Sequence, residues 1–170
     1  MITRVLVWIV LLLGGAVISI YVDLINFKLI FASIWWHVFS FVVGIFLMKL
    51  VIAISKNTGR TLAKFGREGK IARMETNVFV KSGVYQYMRH PMHLGLLFFP
   101  LAFALIIGSP TFILFVWPVE VLFMLVMIKF MEEPEAIKKF GDEYKEYMKT
   151  TPGFCFRKKC IKALFQKVEK

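Results

Sequence analysis

Acidic residues are scarce in this chain, with 11 Asp and Glu against 22 Lys and Arg in 170 residues, for a net charge of +11. In a soluble protein that balance points toward nucleic acid, but here the basic residues are segregated from the apolar ones, and position decides their meaning. Cysteine is almost absent. Cys155 and Cys160 form a single Cys-x4-Cys pair with too few ligands for zinc, so no metal site is expected, and in a cytoplasmic tail both are expected as thiols. Also missing is a Gly-x-Gly-x-x-Gly after a strand-like segment, as is any alternation of strands and helices, which argues against a nucleotide-binding α/β fold. A cofactor must bind by other means.

What the chain has in excess is apolar residues, 58% of the total, with 18 Phe and a mean hydropathy of +0.68. They cluster into Val5 to Val22, Leu29 to Ile54, and Leu94 to Phe130, the last broken at Gly108-Ser109-Pro110. Runs of this length read as membrane spans. The expected fold is all-α, a polytopic membrane helix bundle of about four transmembrane helices with a cytoplasmic cofactor pocket. The division is 1–54 for two N-terminal transmembrane helices, 55–93 for a cytoplasmic loop, 94–131 for a transmembrane hairpin, and 132–170 for a cytoplasmic helix and basic tail. Four spans place Arg4, the middle loop and the tail on one side, with 20 of the 22 basic residues. By the positive-inside rule that side is cytoplasmic, and both termini lie there. The first apolar stretch exceeds a signal-peptide core and no small-x-small site follows, so it reads as a retained anchor.

Between the spans, Ser55 to Arg73 mixes Leu62, Phe65 and Ile71 with basic residues and three glycines. It reads as a partly helical segment on an anionic inner leaflet, its glycines arguing against one long helix. Pro134 suits the first turn of a new helix after Glu132, and Phe140, Tyr144 and Tyr147 then recur at helical spacing as an aromatic face. Two polar groups fall inside spans. Glu120, near mid-bilayer and two residues after Pro118, is a functional candidate by position and equally a structural one; His37, after Trp35-Trp36, reads as interfacial or packed. Gly14, Gly15 and Gly44 suit close helix packing, within one chain or between two.

The densest pattern is Gly83-Val84-Tyr85-Gln86-Tyr87-Met88-Arg89-His90-Pro91-Met92-His93-Leu94-Gly95. An apolar helix follows, then Gly108-Ser109, a second apolar helix, Glu132-Glu133, and Phe140-Gly141-x-Glu143-Tyr144-x-x-Tyr147. Together, over roughly Asn77 to Phe154, these resemble the isoprenylcysteine carboxyl methyltransferase and phospholipid methyltransferase superfamily of integral membrane enzymes. The resemblance implies S-adenosylmethionine as cofactor, with contacts from Asn77, Val78, Phe79, Val80, Tyr85, His90, Pro91, Met92, His93 and Glu132. Such a ligand needs a carboxylate for its ammonium, donors for its carboxylate, and apolar or aromatic walls. The chain departs from the family pattern in having Asn77 where a His is usual, His93 where a Tyr is usual, and Lys129 where prenylcysteine enzymes place an Arg before the Glu pair.

The implied activity is methyl transfer to a lipid-like acceptor entering from the bilayer, with an isoprenylcysteine carboxylate ahead of the amine of phosphatidylethanolamine. A membrane reductase and a noncatalytic scaffold are the alternatives. For a carboxylate acceptor, Lys129 or Arg89 orients it; for an amine, Glu133 or Glu120 takes the proton. Each has a plainer reading as well, with Arg89 at lipid phosphate, Lys129 snorkelling, and Glu133 favouring a helix start. No nucleic-acid partner is expected, and the setting is the plasma membrane of a prokaryote or the endoplasmic reticulum. Oligomeric state is left open.

Overall fold

The computed structural model describes residues 2–70 and 76–166, without the side chains of residues 2–5. The side chain of Arg4, together with Ile71, Arg73, Lys167 and Lys170, on which part of the sequence reading rested, therefore lies outside the described residues. The helices are α1 (Ile2–Asn26), α2 (Lys28–Phe31), α3 (Ile34–Phe65), α4 (Pro91–Ile107), α5 (Trp117–Met127), α6 (Glu133–Thr150) and α7 (Lys158–Phe165). Two π-helical segments, Phe112–Val116 and Ile128–Glu132, join α5 to its neighbours, and no strand occurs among the described residues. Leu6–Asn26, Ile34–Phe65 and Phe112–Thr150 are long and apolar enough to cross a membrane, and α4 is a shorter apolar helix of 17 residues. The protein is a membrane helix bundle. By contacts the chain divides into two compact units, Met1–Lys49 with Leu97–Val126, and Leu50–Leu96 with Met127–Lys170.

In the first unit the apolar runs leave their large side chains outward. Val10, Val17, Tyr21, Val42, Phe46, Val119 and Leu122 are all more than 60% exposed, a surface suited to lipid rather than water. Its interior is built from small residues and one ring, with Ala16, Ala104 and Phe112 buried together. A Cβ on Gly15 would stand 2.8 Å from a Val116 methyl, and one on Gly44 2.8 Å from the Ile106 amide nitrogen, so both glycines serve helix approach inside this chain. Gly14 has nothing within 4 Å.

The break at Gly108-Ser109-Pro110 is a true turn. Gly108 closes α4 at φ +76°, a left-handed conformation that glycine adopts without strain, and its carbonyl accepts a 2.8 Å bond from the Trp36 indole. Asp23, fully buried, then caps the returning helix. It accepts bonds from the Ser109 hydroxyl, the Thr111 amide (2.9 Å) and the Thr111 hydroxyl (2.6 Å). His37 bonds the Phe31 carbonyl through Nε2 at 2.6 Å and is a packed histidine. Glu120 is 3% exposed, and neither carboxylate oxygen has a hydrogen-bond partner.

The second unit departs from the sequence reading in three places. First, α3 runs through Gly59, a single interior glycine costing a helix only about 1 kcal/mol, and stops only at Phe65; the hydroxyls of buried Thr58 and Thr61 are satisfied by the Ile54 and Asn57 carbonyls of the same helix. Second, Glu132 starts no separate helix: the π-helical turn Ile128–Glu132 leads directly into α6. Pro134, in the first turn of α6, needs no amide bond of its own in that wider turn. Third, Cys155 and Cys160 are joined as a disulfide rather than standing as thiols. The turn into α7 brings their Cα atoms to 5.8 Å, a spacing that suits a bridge.

Candidate methyl-donor site

The site is built on the dipeptide before α4. The backbone amides of Arg89 and His90 donate to the carbonyls of Pro152 (2.9 Å) and Gly153 (3.0 Å), which fixes this turn against the segment after α6. Pro91 then opens α4, where its missing amide and fixed φ cost nothing, and the Leu94 amide bonds the His90 carbonyl at 3.1 Å. His93 therefore lies three residues, just under a full turn, beyond His90, and their rings meet edge to face at 5.6 Å between centroids.

From the other side come the two glutamates, and they take different partners. One oxygen of Glu133 receives Arg89 through Nη2 at 2.6 Å and Nε at 3.1 Å, and His90 Nε2 at 3.0 Å. Arg89 also donates to the Met148 carbonyl at 3.2 Å and the Thr151 carbonyl at 2.7 Å. Both members of the ion pair are 14% exposed, so it is shielded from water and its partners are committed to one another. Glu132 instead pairs with His93, Nε2 to carboxylate oxygen at 2.9 Å, and the two side chains are 21% and 32% exposed. Burial holds the His90 imidazole below its usual 6.5, outweighing the opposing hydrogen bond to Glu133. The ring is thus neutral at pH 7 and donates to Glu133.

Beside these groups opens a cavity of about 210 Å³. Of the residues singled out in the sequence, Val78, Phe79, Val80, Tyr85, Arg89, His90, Pro91, Met92, His93 and Glu132 line it together. Asn77 does not. It is exposed, and its amide closes a loop on the backbone of Glu68, accepting at 2.8 Å and donating at 2.7 Å. Glu133 stands behind the wall, held by Arg89 and His90. Lys129, exposed on the π-helical turn, lies off the cavity with its ammonium 5.8 Å from the Phe130 ring centre.

The remaining wall is aromatic. Phe79 stacks on Phe140 at 5.1 Å and meets the edges of Tyr144 at 5.6 Å and Tyr147 at 5.2 Å. Such offset and edge contacts are the favoured geometry for rings. Tyr147 donates its hydroxyl to the Tyr85 carbonyl, tying α6 to the 3-10 turn Gly83–Gln86, and burial, with Tyr147 adjacent, pushes the Tyr85 phenol well above its usual range. Gly141, at φ +62° and ψ −137°, bends α6 between Phe140 and Tyr144. The sequence showed those rings as a helical stripe; that the stripe lines the cavity rather than faces lipid was not visible in its spacing. Leu62, Thr76 and Ala136 complete the lining and carried no signal.

A donor atom from each of His90, His93 and Glu132 lies within 4.8 Å of the others, a set of two imidazoles and a carboxylate that the cysteine count did not suggest. In the same place an anionic carboxylate, ring donors and aromatic walls meet the requirements of a ligand carrying an ammonium group and an aromatic base.

No solved structure gives a significant match to the chain. Among curated proteins it is 31% identical over 87 residues to a protein-S-isoprenylcysteine O-methyltransferase of Schizosaccharomyces pombe, an alignment covering 48% of this chain and 34% of that protein. The chain thus matches about a third of that relative's length. The phospholipid methyltransferase family model matches residues 39–143, which include α4, α5 and every charged residue of the cavity, and the chain belongs to that family.

Proposed function

We propose that the protein is an integral membrane methyltransferase that uses S-adenosylmethionine and methylates the carboxylate of an isoprenylcysteine-like acceptor. The observation that carries the cofactor half is the convergence of Glu132, His93 and the Phe79, Phe140, Tyr144 and Tyr147 rings on one cavity. In this reading Glu132 holds the ammonium of the methyl donor, the aromatic wall takes its purine, and His93 donates to its carboxylate, the one N–H of neutral His90 being given to Glu133. When bound, S-adenosylmethionine supplies an activated methyl group on a sulfonium. What the chain supplies is alignment and exclusion of water, the main sources of rate for an in-line displacement.

The acceptor half rests on Glu133. An amine acceptor needs a proton sink, but Glu133 stands behind the cavity wall with one oxygen already bonded by Arg89 and His90, so it is a poor base. A carboxylate acceptor is already ionised and needs none. Arg89 and Glu133 accordingly act as positioning residues for the His90 turn, and Lys129, outside the cavity on the exposed face, is left as the cation for an acceptor arriving through lipid. The name of the Schizosaccharomyces pombe relative agrees with this class.

The orientation we infer puts the cavity and both termini in the cytoplasm, from the 20 basic residues that four spans collect on one side. The test is methyl transfer from S-adenosylmethionine by purified protein in lipid, with a prenylcysteine analogue and with phosphatidylethanolamine offered separately. Methylation of the prenylcysteine alone is expected. Methylation of the amine alone overturns the acceptor class, and methylation of neither by protein that binds the cofactor overturns both acceptors.

A further inference from the structure

The C-terminal helix α7 is not used by the site, and its two faces differ sharply. Cys160, Ala163 and Leu164 are buried against the rest of the second unit. On the opposite face Ile161 is 43% and Phe165 38% exposed, and Phe156, just before the helix, is 67% exposed. Lys158 and Lys162 flank those apolar side chains at helical spacing, Arg157 and Lys159 stand on the adjoining flank, and all four are exposed. No acidic residue occurs between Gly153 and Gln166.

The depth of this helix can be read within the same unit. The apolar run of α3 ends at Ile54, followed by Ser55-Lys56-Asn57. The Asn57 side-chain amide donates to the Leu164 carbonyl at 3.0 Å, which sets the end of α7 roughly 4–5 Å, three helical residues, past the apolar boundary. That is the headgroup layer. Alongside α7 lies a recess of about 700 Å³ whose lining includes Lys149, Arg157 and Lys159 together with Tyr87 and Phe156.

We propose that α7 and this recess form a docking site for the anionic headgroups of the surrounding leaflet, with Ile161, Phe165 and Phe156 entering the interface and Arg157, Lys158, Lys159 and Lys162 pairing with lipid phosphate. An amphipathic helix with apolar residues on one face and lysines at its margins binds by this combination of buried apolar area and charge attraction. The site does not depend on the methyl-transfer reading.

The experiment is hydrogen–deuterium exchange of the full-length protein in nanodiscs of phosphatidylcholine, with and without phosphatidylglycerol, following peptides that cover 156–166. Exchange is expected to slow about tenfold when the anionic lipid is present, and the slowing to disappear in high salt or in Lys158→Glu/Lys162→Glu. Ile161→Ser, which keeps the charge, is expected to lose part of it. Equal exchange in the two lipid compositions overturns the proposal without any variant. Slowing that survives both salt and charge reversal assigns the face to an uncharged contact and overturns it as well.

Discussion

His93 and Glu132 meet in the cavity wall as a partly exposed pair, Nε2 to carboxylate at 2.9 Å, while His90, in the same wall, is locked to Glu133 behind it. The first pair is the one a ligand can open. Glu132→Gln keeps the shape and removes the charge, so affinity for S-adenosylmethionine is expected to fall by about tenfold to a hundredfold, the loss of a charged hydrogen bond worth ~1.5–3 kcal/mol. Titration of purified protein by calorimetry checks it. Unchanged affinity in the folded variant would remove Glu132 from the cofactor site.

The buried pair predicts a pH dependence. His90 is held below its usual 6.5 by burial, so as pH falls through that value the unfolded chain takes up a proton that the native site resists. The corresponding stability is present above 6.5 and drains away as pH drops toward the native value. Unfolding midpoints in detergent from about pH 7.5 to 5 should therefore decline, and His90→Gln, which retains a donor for Glu133 without a titrating ring, should flatten the decline. An identical slope in the variant would place the titration elsewhere.

Arg89 makes two bonds to Glu133 and two to the carbonyls of Met148 and Thr151, so four of the five donors of its planar fork are used. Arg89→Met strands the Glu133 carboxylate and should cost about 3–5 kcal/mol of stability, whereas pairing it with Glu133→Gln should recover part of that loss. Arg89→Lys is expected to fall between, since an ammonium replaces the charge but not the geometry. Chemical unfolding of the four proteins decides the order.

Much of this site was legible because its residues are local in sequence. Arg89-His90-Pro91 forms one turn, His93 follows on the same helix, and Glu132-Glu133 ends the next apolar run. The roles within it were harder to read. Nothing in the order Glu132, Glu133 tells which carboxylate faces the cavity, because the π-helical turn Ile128–Glu132 rotates the register at that point. Asn77 looked like a ligand by alignment with a family position, but its amide is satisfied by the Glu68 backbone. The Asp23 cap was likewise invisible, since its partners Ser109 and Thr111 lie more than 80 residues away.

That cap carries a prediction of its own. Asp23 is fully buried and accepts three bonds at the start of the helix that follows Pro110, where both the free amides and the helix dipole favour an anion. Asp23→Ala leaves the Ser109 and Thr111 hydroxyls and one amide without their acceptor and should destabilise the protein by about 2–4 kcal/mol. Asp23→Asn should cost less. Affinity for S-adenosylmethionine in the folded fraction should not change, because none of these groups belongs to the cavity, and a parallel loss of binding would contradict that separation.

The acceptor class turns on Lys129. It sits on the exposed side of the π-helical turn, three residues before Glu132, with no cavity contact and its ammonium near the Phe130 ring. A carboxylate arriving through lipid must leave water and find a cation, and Arg89 is already committed to Glu133. Lys129→Met keeps the apolar stem and deletes the charge. With a prenylcysteine analogue it should raise KM by about five- to tenfold, the scale of one partly exposed charge contact, with cofactor affinity and unfolding midpoint unchanged. Lys129→Arg should restore or improve KM, since a guanidinium can hold a carboxylate through two bonds. If both substitutions leave KM for the prenylcysteine analogue at the wild-type value, Lys129 is not the acceptor cation, and the carboxylate must be met by a group inside the cavity instead.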